Sequence, residues 1–250
     1  MSVAHDLVVQ NGAKTAGRVV IGGSPDCTVG NKVAHDLVVH MAAQESLFAQ
    51  CLGVPTLPDV EETDIVTRTH EVLPRYAGAE LDDAVALWRD SVEATREWAV
   101  AHAGGSAKWR GLDMSRDDLL VVRAFETWVH TDDLRRAGGL PATTPAPRHL
   151  ALMSDLAGRI LPLALALSGR ARPGRTARLV LTGEGGGEWT VAMDGGEPAA
   201  VPDVTVTADV VDWCLLVGDR LDAGRFVYTV DGDAALGDDV VRAAPALATL

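Results

Sequence analysis

Residues 141–147, Pro-Ala-Thr-Thr-Pro-Ala-Pro, constrain the fold of this 250-residue chain more than any other stretch. Three prolines in seven residues neither continue a helix nor pair inside a sheet. The run therefore reads as an extended linker. Before it, apolar residues recur at helical spacing; after it, short alternating runs are mixed with helices. The pattern is α+β, with a helical domain over residues 1–140 and a small α+β domain over 148–250. A chain of this length accommodates two modest domains, and a hydrophobic fraction of 47% suffices for packed cores.

Four helices are expected in the first half. One covers 3–21 and is weakened by Gly12 and Gly17, roughly 1 kcal/mol each relative to alanine. The second runs from Lys32 to about Leu52, with Asn31 as N-cap and Gly53 and Pro55 as its stop. The third extends from Asp82 to about His102 and ends at Gly104-Gly105. Ser115 caps the fourth, which carries Asp117 and Asp118 in its first turn, Arg135 and Arg136 in its last, and Gly138 beyond it. Helices joined in this way suggest a four-helix bundle, whose metal and cofactor sites are built from side chains on facing helices. Residues 54–78 read as a long connection with one helical turn near Glu71. The heptapeptide Val-Ala-His-Asp-Leu-Val-Val occurs at 3–9 and again at 33–39, too short a recurrence for a repeat architecture. Past the linker a helix is expected over 148–168, then strands 178–182 and 188–192 joined as a hairpin, a strand at 204–207, a helix at 208–217, a strand at 226–230 and a terminal helix.

A net charge of −13, without a basic face, argues against nucleic acid and anionic membrane as partners. No stretch reads as a signal peptide or a spanning helix, since the most apolar run, 160–167, contains Pro162; a cytoplasmic protein is expected. Cys27, Cys51 and Cys214 are odd in number and widely spaced, the usage of reduced thiols rather than a disulfide framework. The glycines at 183 and 185–187 lie in a hairpin turn, with neither the helix nor the Lys-Ser/Thr that a phosphate loop requires.

The fourth helix carries the chemistry. Glu126 and His130 are four residues apart and share a face, and Asp133 lies on roughly the same side. A carboxylate and an imidazole so placed supply half of a zinc or iron(II) site, provided that a third ligand arrives from another helix and leaves a coordination position open. His40, midway along the second helix beside its apolar stripe, is the best candidate. The plainer readings are a hydrogen-bonded core histidine at His40 and a chance pair at Glu126 and His130. Asp133 either orients a ligand imidazole from outside the ligand set or pairs with Arg136.

The strings Arg123-Ala-Phe-Glu-Thr-Trp-Val-His130-Thr-Asp-Asp133 and Asp36-Leu-Val-Val-His40-Met-Ala-Ala resemble the mycothiol-dependent maleylpyruvate isomerase family, whose N-terminal domain is a DinB-like four-helix bundle. The later half, from the Leu179–Trp189 hairpin to Asp231-Gly-Asp233, is similar to that family's C-terminal domain. The resemblance implies a divalent metal, usually zinc, held by His40, Glu126 and His130, with Trp128 as the family's aromatic and Asp133 as its downstream acid. It further implies mycothiol as cosubstrate and a small-molecule electrophile as substrate, with isomerase or S-transferase chemistry. Zinc-bound thiols are deprotonated at neutral pH and attack electrophiles without a separate base. Two departures stand out: Lys32 occupies the place of a tryptophan usual in the family, and the first helix is rich in glycine. An alternative from another class is a non-catalytic metal-binding or regulatory protein, related to the members associated with anti-sigma modules.

Overall fold

The computed structural model describes residues 31–249 except residue 103. The helix expected over 3–21, the first copy of the heptapeptide and Cys27 lie outside the described residues. The rest divides between Thr143 and Thr144 into two compact units and is mixed helix and sheet, as an α+β chain requires.

In the first unit, α1 (Asn31–Leu52), α2 (Ile65–Val72), a 3-10 turn (Leu73–Tyr76) and α3 (Leu81–Ala101) precede a hairpin of β1 (Ser106–Trp109) and β2 (Leu112–Ser115), and α4 (Arg116–Ala137) follows it. Asn31, expected as a cap, is the first helical residue. Helix α1 is central, packing against α2, α3 and α4. On one side Val38, Val39, Met41 and Ala42 meet Val72, Ala84, Trp88 and Val92. On the other Leu47, Phe48 and Leu52 meet Trp109 and Leu119, with the Phe48 and Trp109 rings stacked at 4.3 Å. Burial of each such side chain contributes about 1.5–3 kcal/mol.

Two elements differ from the sequence reading. The segment 54–78 forms a helix of two turns, because Asp64 caps it by accepting from Thr67 N at 3.0 Å. The β1–β2 hairpin was not anticipated. Its two-residue turn, Arg110-Gly111, has positive φ at both positions, 48° and 83°, which is the type I′ geometry that matches strand twist. Arginine is not the residue that normally announces it.

The second unit begins with α5 (Pro147–Arg159) and α6 (Leu161–Leu167), and continues with β3 (Thr176–Thr182), β4 (Gly187–Ala192), β5 (Val204–Asp209), α7 (Val210–Val217), β6 (Tyr228–Gly232), α8 (Ala234–Ala243) and a closing 3-10 helix (Ala244–Thr249). The sheet order is β4-β3-β5-β6, antiparallel except for the β3–β5 pair. Alternate residues Ala177, Leu179 and Leu181 on β3 and Val204, Val206 and Ala208 on β5 are buried, so one face of the sheet meets the helices. The single helix expected over 148–168 breaks at Ile160, with Pro162 in the first turn of the second piece, where its missing N–H costs nothing. No single described helix is long and apolar enough to cross a membrane; α5 and α6 reach that composition only together and are bent by 51°. Their apolar faces, including Leu150, Met153, Leu161 and Leu165, belong to the core of this unit.

The glycine-rich turn between β3 and β4 has a packing role. Ser154 Oγ donates to Gly185 O at 2.8 Å, and a Cβ at Gly185 would stand 2.7 Å from Pro147 O.

Candidate metal centre

Helix α4 is buried on nearly every side from Arg123 to Asp133 although seven of these eleven residues are polar or charged, so each has to find a partner. Its ends are conventional: Ser115 Oγ accepts from Asp118 N at 3.0 Å and Gly138 caps the C-terminus. Along its middle, Arg123 Nε donates to both oxygens of Glu45 on α1, at 2.8 and 2.7 Å. Trp128 Nε1 donates to Thr143 O at 2.9 Å, and Asp132 Oδ1 accepts from Thr143 N at 2.8 Å. The Arg123–Glu45 pair thereby ties α4 to α1, on whose surface the His40 ring meets that of His130, while the Trp128 and Asp132 bonds tie α4 to the segment that follows it.

The three ligand candidates lie together. His130 Nε2 is 3.4 Å from Glu126 Oε2, and the His40 and His130 rings meet edge to face with centroids 5.0 Å apart. Two ligands bound tetrahedrally at 2.0–2.2 Å stand roughly 3.3–3.6 Å from one another, so the Glu126–His130 pair has that spacing. The set is not closed: among the described residues no group of three His, Cys, Asp or Glu side chains is arranged to hold a metal ion. The donor chemistry nevertheless suits zinc, two imidazoles and one carboxylate.

Asp133 divides its carboxylate, one oxygen 3.5 Å from His130 Nδ1 and the other 3.5 Å from Arg136 Nη1. Both sequence readings of this residue describe one of its contacts. Burial pushes the Glu126 carboxyl up, but hydrogen bonds from His130 and Gln44, with the electrostatic attraction that His130 and His40 exert when protonated, outweigh it and hold the group below the ordinary glutamate value. Glu126 is therefore a carboxylate at neutral pH. Cys51 and Cys214 are the reverse case, since burial pushes both thiols up and neither is poised as a nucleophile.

Sequence reasoning passed over several residues here. Gln44 and Glu45 sit on the buried side of α1, and an acid there requires a cation; Arg123, three residues before Glu126, was the available one. Met41, Gln44, Glu45, Arg123 and Glu126 border a cavity of about 10 Å³, room for about one water. A larger cavity, of about 570 Å³, is lined by Ser46, Gln50, Leu57, Asp59 and the buried Arg68 and includes none of the three ligand candidates.

Comparison with known proteins agrees with the resemblance. An uncharacterized protein of Mycobacterium tuberculosis (strain CDC 1551 / Oshkosh) is 30% identical over 139 residues, 56% of this chain and 49% of the relative. An uncharacterized protein of strain ATCC 25618 / H37Rv matches to the same extent. The alignment spans about half the length of these curated relatives. No solved structure matches the chain. The segment from α1 into the last turn of α4, with His40, Glu126 and His130 inside it, matches the family described as the mycothiol maleylpyruvate isomerase N-terminal domain, over residues 33–135.

Proposed function

We propose that this chain is a mycothiol-dependent metalloenzyme of isomerase or S-transferase type, acting in the cytoplasm on a small electrophile. In this reading residues 1–140 form a DinB-like four-helix bundle that binds the metal, and residues 148–250 are the family's α+β C-terminal domain. The observation that carries the proposal is the ligand-like spacing of Glu126 and His130, 3.4 Å, with the His40 ring edge-on beside them. His40, Glu126 and His130 would hold a divalent ion, most simply zinc. Bound there, zinc supplies the acidity that keeps a coordinated thiol deprotonated at neutral pH.

The chain's own residues have separate tasks. Glu126, ionised, contributes the one negative charge of the ligand set, so that two neutral imidazoles and one carboxylate leave a net positive centre that favours a thiolate. Asp133, with its carboxylate 3.5 Å from His130 Nδ1, would orient that ring once the metal draws the two into a hydrogen bond. The Glu45–Arg123 pair holds α1 and α4 in the register on which all three ligands depend.

Purified full-length protein supplied with zinc should retain about one equivalent, and both His40→Ala and Glu126→Ala should lose it. A wild-type protein that binds no zinc sinks the reading. Retained zinc, with no adduct formed on incubation with mycothiol and electrophiles, would favour the non-catalytic alternative.

A further inference from the structure

His40 has a partner that neither the sequence motif nor the metal proposal supplies. Its Nδ1 lies 2.8 Å from Thr69 Oγ1, on α2, a segment far from both ligand strings in sequence. The same hydroxyl lies 2.7 Å from Ile65 O, one turn earlier. A carbonyl oxygen only accepts and a hydroxyl has one proton, so that proton points to Ile65 and Oγ1 is left as an acceptor. His40 Nδ1 must then be the donor. In a neutral ring this places the remaining lone pair on Nε2.

From this chain of hydrogen bonds we propose that Thr69 is a positioning residue: it fixes His40 as the Nδ1–H tautomer and holds its ring so that Nε2 serves as a metal donor. The inference deepens the metal proposal and rests on it for its biological meaning. Thr69 is 8% exposed, so water does not compete freely for the hydroxyl. With it, two of the three candidates have a hydrogen-bonded outer partner, Thr69 for His40 and Gln44 for Glu126, and the Asp133 carboxylate stands 3.5 Å from His130 Nδ1. Partners of this kind are worth roughly 10–100-fold in metal affinity.

The test compares Thr69→Val, which keeps the shape and removes the hydroxyl, with Thr69→Ser, which keeps the hydroxyl. Nitrogen-15 spectra of the metal-free, full-length protein should show His40 with its proton on Nδ1 in the wild type and in Thr69→Ser, and without that preference in Thr69→Val. Zinc competition titrations should show affinity reduced about 10–100-fold in Thr69→Val and near wild type in Thr69→Ser, with unfolding midpoints recorded to confirm that all three fold. A wild-type His40 protonated on Nε2, or a Thr69→Val protein that binds zinc as tightly as the wild type, overturns the inference. The predicted tautomer in a protein that takes up no zinc would instead overturn the metal proposal and leave Thr69's hold on His40 standing.

Discussion

Breaking the Glu45–Arg123 pair should cost far more than its single contact suggests. Glu45 is 2% exposed and Arg123 8%, so both charges are withdrawn from water. Arg123 Nε donates to both carboxylate oxygens, and its buried Nη2 has no hydrogen-bond partner among the described residues. With Glu45 truncated, the guanidinium keeps its charge, because arginine does not deprotonate. At an effective dielectric constant near 20, opposite charges about 4 Å apart attract by about 4 kcal/mol. Loss of one buried partner typically costs about 3–5 kcal/mol. Glu45→Ala should therefore lose about 3–4 kcal/mol from the first unit, and Arg123→Met about as much. Replacing both, as Glu45→Leu with Arg123→Met, removes the stranded charge and should cost less than either single change, leaving a coupling energy of at least about 3–4 kcal/mol. Because two units need not unfold together, the measurement is native-state hydrogen exchange of α1 and α4 amides in full-length protein across a denaturant series. Single losses below about 1 kcal/mol, or costs that simply add, would refute the argument that the pair is desolvated and interdependent.

Other outcomes follow from the second unit and from the site. Asp239 on α8 is 5% exposed and accepts from Arg170 and Arg172 at 3.0 and 2.7 Å; burial raises its carboxyl, but the two arginines outweigh it and hold the pKa below the ordinary aspartate value of 3.8. A carboxyl depressed in the folded state contributes stability above its unfolded pKa and loses it as pH falls through the folded one. Asp239→Asn should thus cost about 1–2 kcal/mol at neutral pH, the arginines being partly exposed, with the gap to wild type narrowing in urea titrations as pH falls below the ordinary aspartate value. At Gly185, with φ +90° and Pro147 O in the way of a Cβ, alanine should cost about 2–4 kcal/mol in the same titrations, and an unchanged midpoint would show that the turn relaxes freely. Zinc removal by chelator should lower the unfolding temperature of wild type and leave His40→Ala unaffected.

The outlines of the helices were legible because their signals are local. Ser115 and Gly138 bound α4 as their chemistry requires, and Gly53 ends α1. Glu126 and His130 were legible as a pair because four residues make one turn. What was not legible depends on distance. Thr69 reaches His40 across 29 residues and Arg123 reaches Glu45 across 78, and no periodicity within one helix encodes such a contact. The β1–β2 hairpin escaped for a different reason: its turn places Arg110 at a left-handed position where asparagine or aspartate would have marked it. Pro162 marks a helix start as readily as an interruption, and only the packing of both pieces into the core shows that it lies just past the break between α5 and α6.

Thr143 marks where the first unit ends. It lies inside the stretch read as a linker, yet its N–H and C=O are both bonded to α4, to Asp132 and Trp128. Chemically the first unit therefore ends after Thr143, not at the first proline. A chain cut at residue 140 would strip the site helix of a main-chain acceptor and a main-chain donor and bare two buried polar side chains. One cut after Thr143 would keep them. The stretch that belongs to neither unit's hydrogen-bonded framework is thus shorter than its proline content suggests: Pro145 is already buried, Ala146 O accepts from His149 N and Leu150 N, and Pro147 opens α5.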